Sequence, residues 1–427
     1  MTEQSIENTG KSIAEHLADR ALAAAANPDR DALRALFAYN IGIAMSTVRG
    51  AETLTAASAG DTSPGARAFH YASRIYARAQ DDWYNRGRSH IGTLAIPGAL
   101  AADCDDLFVA AAAGYAVMMP VSGTYGLEAH LRGLRPTALF GHLAAAASCG
   151  VALGANAQQL VSAIALSTVT AGGHTQCMLD ETDEWRYNVL TAARNGADAA
   201  ALAVRGARGT RLTFEGEQGW AVAMFGDKGA SKLWATLAEA PEGPADVSIK
   251  PYPASGGTFA AIFGALEARR RTGGARAVAL SIEANGRVLS LPGSFRKGPF
   301  ASPLGSALAF APLCAEAYVT GGVKAAAKPA SIQAEINRVE ALMDIRTDDS
   351  LHDLQVHVTV ASETGVHSFD YASEAVQFPG WPAIRKDPAD LAERCEAPVE
   401  KIRRLFDLLD RDVLPSKEVI ALIAAGH

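Results

Sequence analysis

Two adjacent carboxylates and a nearby imidazole are the residues in this chain best suited to acid–base chemistry. Asp81, Asp82 and His90 stand in one short segment that a single loop can fold together. A carboxylate behind an imidazole sets its tautomer and pKa, so a histidine held this way can accept a proton from a substrate. In the structural alternative, Asp81 caps a helix and His90 is an ordinary loop histidine.

Further along the chain, several residues are suited to holding an anion. Arg135 does not accept a proton at neutral pH, but it can bind a carboxylate through two parallel hydrogen bonds. Lys250 and Tyr252 stand in a Lys-Pro-Tyr-Pro run, and Ser255 and Gly256 open a turn before an apolar segment. If that segment is a helix, its first N–H groups and positive dipole end favour a carboxylate. The same run can also serve as a plain domain hinge.

Three more polar residues are candidates for the same chemistry. Arg186 could supply a positive charge and Tyr187 a proton, although their Glu-Trp-Arg-Tyr segment is equally typical of a helix start. His174 follows a Gly-Gly pair and either lines the substrate pocket or lies outside it.

The positions of apolar residues predict that these groups are carried mainly by helices. From about Ile6 to Ala207 the spacing is helical, with breaks at glycine and proline. The longest apolar stretches, 107–121 and 143–153, fall short of the roughly 20 residues of a membrane span and are predicted to be buried helices.

After Lys250 the pattern changes to that of a mixed α+β segment, extending to about residue 388. The predicted elements are strands at 278–284, 287–291 and 354–362, the first two joined by an Asn285-Gly286 hairpin turn, and an apolar helix at 304–318. Helices are expected again at 388–393, 399–410 and 416–425.

Composition limits the classes of function. The net charge of −7 provides no basic field for nucleic acid. Five cysteines without CxxC spacing argue against disulfides and a cysteine-rich zinc site, and they fit a reducing cytoplasm. The first residues predict no export signal. Since the sequence contains no metal, phosphate-loop or dinucleotide motif, we expect chemistry without a cofactor or metal.

Four segments taken together resemble the MmgE/PrpD superfamily, from about residue 30 to the C-terminus. That family includes 2-methylcitrate dehydratase, cis-aconitate decarboxylase and iminodisuccinate epimerase. The segments are Asp81-Asp82 with His90-Ile-Gly-Thr and Ile96-Pro97, Gly133-Leu-Arg-Pro-Thr-Ala-Leu-Phe-Gly141, Thr191-Ala-Ala-Arg-Asn-Gly196 with Glu215-Gly-Glu-Gln-Gly219, and Lys250-Pro-Tyr-Pro253.

The resemblance implies a particular architecture. An all-helical domain is formed by both chain ends, residues 1–249 and 389–427, and a smaller α+β lid domain by residues 250–388. The active site is expected between them, and the protein is expected to be a homodimer.

The chain also departs from the family pattern. A family histidine is replaced by Arg135, and a second one falls on Phe259. A family lysine upstream of Arg194 falls on Trp185 or its neighbour Arg186. An arginine at these positions would bind an anion instead of transferring a proton, and Phe259 or Trp185 can do neither.

The favoured hypothesis is a lyase, a dehydratase or decarboxylase, acting on a small di- or tricarboxylate. His90 would be the base, supported by Asp81 and Asp82. The predicted carboxylate-binding residues are Arg135, Lys250 and Arg186, with Tyr252, Ser255 and Gly256 beside them, and the predicted acid is Tyr252, Tyr187 or His174. Two alternatives are an epimerase of a substituted succinate, with His90 and Tyr187 as its bases, and a non-catalytic binding homologue. No membrane or nucleic-acid partner is expected.

Overall fold

Alanine- and leucine-rich segments fold as helices through most of the chain. The structure, a computed structural model, describes residues 10–47, 52–58, 60–372 and 380–424, and the protein is 60% helical. The predicted mainly α class is confirmed. The predicted helix start at Ile6 and the end at Ala425 lie outside the described residues.

The helices of the first half lie between the glycine and proline breaks in the sequence. Side-chain caps fix their starts: Ser12 and Asn156 each form a reciprocal capping box, with Glu15 and Gln159 respectively. The α-helices up to residue 240 are Ile13–Ala26, Arg30–Ala44, Glu52–Ala56, Pro64–Ile75, Gly92–Leu100, Leu107–Leu131, Pro136–Ala152, Ala157–Ser167, Gln176–Asp180, Glu184–Val204, Trp220–Phe225 and Gly229–Leu237.

The two apolar stretches predicted to be buried helices form the centre of this half. Leu107–Leu131 is long and apolar enough to cross a membrane, but 78% of its apolar window is buried inside the protein. It packs against Pro136–Ala152, which in turn packs against Glu184–Val204. Burial on all sides is typical of a core helix in a globular protein.

The expectation of helix alone up to residue 207 needs one correction. Asp82–Trp83 forms a two-residue strand, β1, which pairs antiparallel with β2, Ser248–Ile249. So short a strand carries no periodicity that a sequence pattern could reveal.

The middle of the chain contains a four-stranded sheet with the order β4-β3-β5-β6. β3 pairs parallel with β4 and antiparallel with β5, and β5 pairs antiparallel with β6. The strands are β3 Ala277–Ala284, β4 Met343–Thr347, β5 Gln355–Ser362 and β6 Gly365–Ala372. The strands predicted at 278–284 and 354–362 are thereby confirmed.

The hairpin predicted at Asn285-Gly286 is wrong. The Asn285 side chain accepts a hydrogen bond from the Arg287 N–H at 2.8 Å, and a short helix, Gly286–Leu289, follows. Asparagine favours a helix start as well as a tight turn, and here the cap is formed. The strand predicted at 287–291 is therefore absent, and the neighbours of β3 are β4 and β5.

The predicted helix at 304–318 is divided into two. Pro303–Leu308 and Phe310–Thr320 are separated at Ala309, whose backbone is extended, and the Phe310 N–H donates to the Ser294 carbonyl. The remaining helices are Phe259–Thr272, Ala330–Leu342, Trp381–Ile384, Pro388–Cys395, Val399–Leu409 and Ser416–Ala424.

Buried apolar side chains form two clusters. The first joins helices from residues 13–249 to helices near the C-terminus, such as Val399–Leu409. The second lies within residues 254–369, where the sheet packs against Phe259–Thr272 and Phe310–Thr320. The domain boundaries at residues 250 and 389 stay a prediction.

Candidate active site

The short ladder between β1 and β2 brings together two candidate segments that are far apart in sequence. Asp82 pairs with Ile249 and Trp83 with Ser248, so the antiparallel register places Asp81 opposite Lys250. The Lys250 ammonium lies 3.7 Å from Asp81 Oδ1 and donates to the Ala79 carbonyl at 2.7 Å.

A tight loop then returns the chain so that His90 lies beside the same carboxylates. The loop is closed by backbone hydrogen bonds between Tyr84 and Ser89, 2.8 and 3.3 Å long. Gly87 packs directly on Gly126 of the Leu107–Leu131 helix, where an added Cβ on Gly126 would lie 2.3 Å from the Gly87 carbonyl oxygen. Only glycine fits at that contact, which fixes the loop against a core helix.

His90 is buried, and its hydrogen bonds define its tautomer. Nδ1 lies 2.8 Å from the Asp82 carbonyl oxygen and 3.1 Å from Asp81 Oδ2. A carbonyl oxygen only accepts, so Nδ1 carries the proton and Nε2 holds a free lone pair. Burial lowers the pKa of His90 to about 4, and the nearby Asp81 charge offsets this only in part. The imidazole is therefore neutral at pH 7.

Asp81 is held between three groups. It accepts a short hydrogen bond from the Thr93 hydroxyl and lies against His90 and Lys250. Burial favours its neutral form, but the electrostatic interactions with His90 and Lys250 and the hydrogen bonds with His90 and Thr93 outweigh burial and lower its pKa. Asp81 is thus the ionised carboxylate behind the imidazole.

Asp82 is held differently from its neighbour. It accepts hydrogen bonds from the Gly92 N–H at 2.9 and 3.1 Å and from the Tyr115 hydroxyl at 2.8 Å. Burial and the adjacent Asp81 charge raise the pKa of Asp82 to about 7. Its side chain anchors the start of the Gly92–Leu100 helix, while its backbone carbonyl orients His90.

His90 lines a cavity of about 470 Å³ that also contains other predicted site residues. These are Arg135, Lys250, Ser255 and Gly256. Gly256–Thr258 forms a 3-10 turn leading directly into the helix Phe259–Thr272, so the expected turn before a helix is present, and its anion-binding role stays a prediction.

Six predicted site residues are not among the described residues that line this cavity: Asp81 and Asp82, which lie behind His90, and four others. Arg186 lines a neighbouring cavity of about 870 Å³ and donates to the Ala77 carbonyl at 2.7 and 3.1 Å. Tyr187 is 52% exposed, His174 is exposed, and Tyr252 is half-buried, with its ring 6.1 Å from that of Phe263. Their roles stay predictions.

The structure adds residues that sequence reasoning did not single out. Tyr76 is buried, its ring lies 5.5 Å from that of His90, and its hydroxyl accepts a short hydrogen bond from Arg135. Burial raises the pKa of Tyr76 to about 12. Arg88 and His130 line the cavity. No spacing pattern marks these residues, because they reach the site from a loop, a helix end and a turn.

Other chemistries find less support in the described part of the chain. Residues 10–47, 52–58, 60–372 and 380–424 contain no group of three or more His, Cys, Asp or Glu arranged to hold a metal ion. The five cysteines are free, and burial raises the pKa of Cys149 to about 12.

These features define a mainly helical protein with a buried, carboxylate-supported histidine at a cavity that contains an arginine and a lysine. The family model described as the MmgE/PrpD N-terminal domain matches residues 7–232. The chain belongs to the MmgE/PrpD family, whose members are generally enzymes of the dehydratase and lyase type. A search among curated proteins finds no match.

Proposed function

We propose that the protein is a cofactor-free lyase, a dehydratase or decarboxylase, that acts on a small di- or tricarboxylate. One observation carries the proposal: a neutral, carboxylate-supported imidazole lines the same cavity as Arg135 and Lys250. The family provides the coarse class, a dehydratase-like enzyme. The histidine and the two cations support the finer assignment.

His90 is the proposed base. Its Nε2 makes no hydrogen bond to any described residue, so its lone pair is free to accept a proton. It would take a proton from a carbon next to a substrate carboxylate, where the developing negative charge is delocalised. Asp81 would then stabilise the imidazolium, and the Asp82 carbonyl would hold the ring in place.

Arg135 and Lys250 are the proposed carboxylate-binding residues. A fixed cation next to the reacting carbon stabilises charge that develops in the transition state. Burial lowers the pKa of Lys250 to about 8, with Asp81 opposing the shift, so the ammonium is mostly protonated at pH 7. The 3-10 turn that starts at Gly256 would present backbone N–H groups to the same carboxylate.

Elimination also requires an acid for the leaving group, and we assign that role to His130. Among the described residues, three histidines line the cavity: His90, His130 and His352. The charge of Arg135 acts on His90 and His130. Burial, with the charges of Arg88 and Arg135, lowers the pKa of His130 in the free protein, so the imidazole would gain its proton only when bound substrate carboxylates offset those two charges. The earlier candidates Tyr252, Tyr187 and His174 would need to move to reach the substrate.

The presence of both His90 and His130 in the cavity favours a second candidate function, an epimerase of a substituted succinate. Epimerisation needs proton carriers on opposite faces of one stereocentre and no leaving group. His90 and His130 would replace the pair of His90 and Tyr187 expected from sequence. A non-catalytic binding protein is the third possibility, and it needs only the cations.

We further propose that the protein works in the cytoplasm as a homodimer with a small anionic substrate as its ligand. The free cysteines and the family resemblance support this.

The test is incubation of the purified protein with citrate-, aconitate-, malate- and aminosuccinate-type acids in heavy water, followed by NMR. New alkene signals or loss of carbon dioxide support the lyase. Deuterium uptake with loss of stereochemical purity and no elimination supports the epimerase. Absence of both with every acid would contradict an enzymatic role on these substrates.

A further inference from the structure

We propose that Arg88 forms a second anion-binding subsite in the cavity, for a substrate carboxylate other than the one held at Arg135 and Lys250. The inference rests on the proposed function and deepens it by naming the residue that would hold a second substrate carboxylate. No motif in the sequence marks Arg88, which stands two residues before the proposed base.

The cavity wall is strongly cationic. Its charged lining residues among those described are Arg88, Arg135, Lys250 and Arg287 against the single carboxylate of Asp353. That carboxylate is already engaged, since Arg287 Nε lies 3.4 Å from Asp353 Oδ1. A cavity with this imbalance attracts a multiply charged anion.

Arg88 is a half-buried cation, and its guanidinium has no hydrogen bond or ion pair with any described residue. Burial lowers its pKa, yet a guanidinium remains charged at neutral pH. A partly desolvated charge without a partner is unfavourable unless a ligand supplies one. A carboxylate matches the fork of donors that a guanidinium presents.

The backbone holds Arg88 in an unusual position. Its φ is +46°, in the left-handed region that non-glycine residues rarely adopt, and its N–H donates to the Asn85 carbonyl at 3.1 Å. The contact between Gly87 and Gly126 fixes the same loop to the core helix. Such backbone strain concentrates at functional sites.

The electrostatic surroundings of Arg88 separate it from the catalytic group. The charged residues acting on Arg88 are Asp353 and Arg287, both from the middle segment of the chain. Those acting on His90 are Asp81, Lys250 and Arg135. Arg88 and Arg135 both act on His130, which also lines the cavity. We place one carboxylate of the substrate next to the base and the far one at Arg88.

Calorimetric titration with unreactive acids tests the subsite directly. The probes are straight-chain dicarboxylates from succinate to adipate and the monocarboxylates of the same carbon number. For the best-binding dicarboxylate, we expect Arg88→Gln to weaken binding by about 10- to 100-fold, as for loss of a charge-assisted hydrogen bond. The matching monocarboxylate should change by less than about two-fold, because it uses the subsite next to His90.

Two further variants make the test specific. Arg205→Gln changes an exposed arginine outside the cavity lining and should bind like the wild type. Arg88→Lys keeps the charge and should recover part of the lost affinity. Thermal melting of each variant confirms that it is folded.

Equal weakening of both acids by Arg88→Gln, or no weakening of either, would overturn the subsite. If the wild type converts no acid but shows the Arg88-dependent preference for dicarboxylates, the lyase proposal fails and the subsite stands. If the enzyme is active and Arg88→Gln leaves the dicarboxylate preference intact, the subsite fails and the lyase stands.

Discussion

The Lys250 ammonium lies 3.7 Å from the Asp81 carboxylate, and both side chains are almost completely buried. The antiparallel pairing of β1 with β2 produces this proximity, by joining the loop that carries His90 to the Lys-Pro-Tyr-Pro run. One carboxylate therefore supports both the proposed base and a proposed substrate-binding cation. Changes at Asp81 should affect both functions.

Replacing Asp81 with Asn should impair catalysis and stability together. Without the carboxylate, an imidazolium at His90 loses its stabilisation, and kcat should fall by about 10²- to 10⁴-fold. Leaving the buried Lys250 without its charge partner should lower the free energy of unfolding by about 3 kcal/mol. Steady-state kinetics and urea unfolding measure the two effects, and the exposed Asp105→Asn is the matched control. Unchanged kcat in Asp81→Asn would remove the carboxylate from the mechanism.

The pH dependence of the affinity for an unreactive dicarboxylate should show an alkaline limb set by Lys250. Its pKa is lowered by burial to about 8, so the cation is present below that pH and lost above it. His90, with a pKa lowered to about 4, is already neutral at this pH, so its protonation affects binding only in acid. We expect the affinity, measured by calorimetric titration, to fall above about pH 8 in the wild type. In Lys250→Met this limb should be missing, and a limb of unchanged position would contradict the assignment.

Replacing Arg135 with Gln should mainly weaken substrate binding. The guanidinium lines the cavity and is oriented by the Tyr76 hydroxyl, so its loss should raise KM by about 10- to 100-fold. Arg132→Gln is the matched control, because Arg132 is exposed and donates to the Met224 carbonyl instead. An equal increase in KM for both variants would indicate a general effect of surface charge.

Replacing His130 with Gln should separate proton abstraction from elimination. If His90 removes the proton and His130 protonates the leaving group, the variant should still exchange substrate hydrogen for deuterium while product formation falls by about 10²-fold or more. NMR in heavy water records both processes in one sample. Product formation at the wild-type rate would exclude His130 as the acid.

Features that depend on local pattern were predictable from the sequence. A continuous apolar run identified the buried helix Leu107–Leu131, and alternating apolar residues identified the strand β5, because burial of all faces leaves an unbroken run and burial of one face leaves a periodic one. The hairpin prediction at Asn285 was wrong because asparagine favours both a tight turn and a helix cap, and tertiary packing selected the cap.

The candidate site was only partly predictable for a physical reason. His90, Arg135 and Lys250 were recognised by residue type and family resemblance, and the structure places all three at one cavity. The two-residue ladder that joins Asp81 to Lys250 is too short to leave a pattern. Arg88 and His130 come from a loop and a helix end, and only the three-dimensional packing brings them to the cavity.

The most direct test of the central claim compares two buried histidines. His90 lines the cavity, whereas His142 lies within a helix, bonded to the Ser167 hydroxyl at 3.0 Å and the Leu139 carbonyl at 2.7 Å. Burial lowers the pKa of each to about 4, so the pair is matched in burial and pKa but differs in access to the cavity and in the Asp81 carboxylate. The measurement is the rate of deuterium incorporation into the best substrate in heavy water. We predict that His90→Asn abolishes it while His142→Asn, once folded, retains it; incorporation at the wild-type rate in His90→Asn would contradict the account.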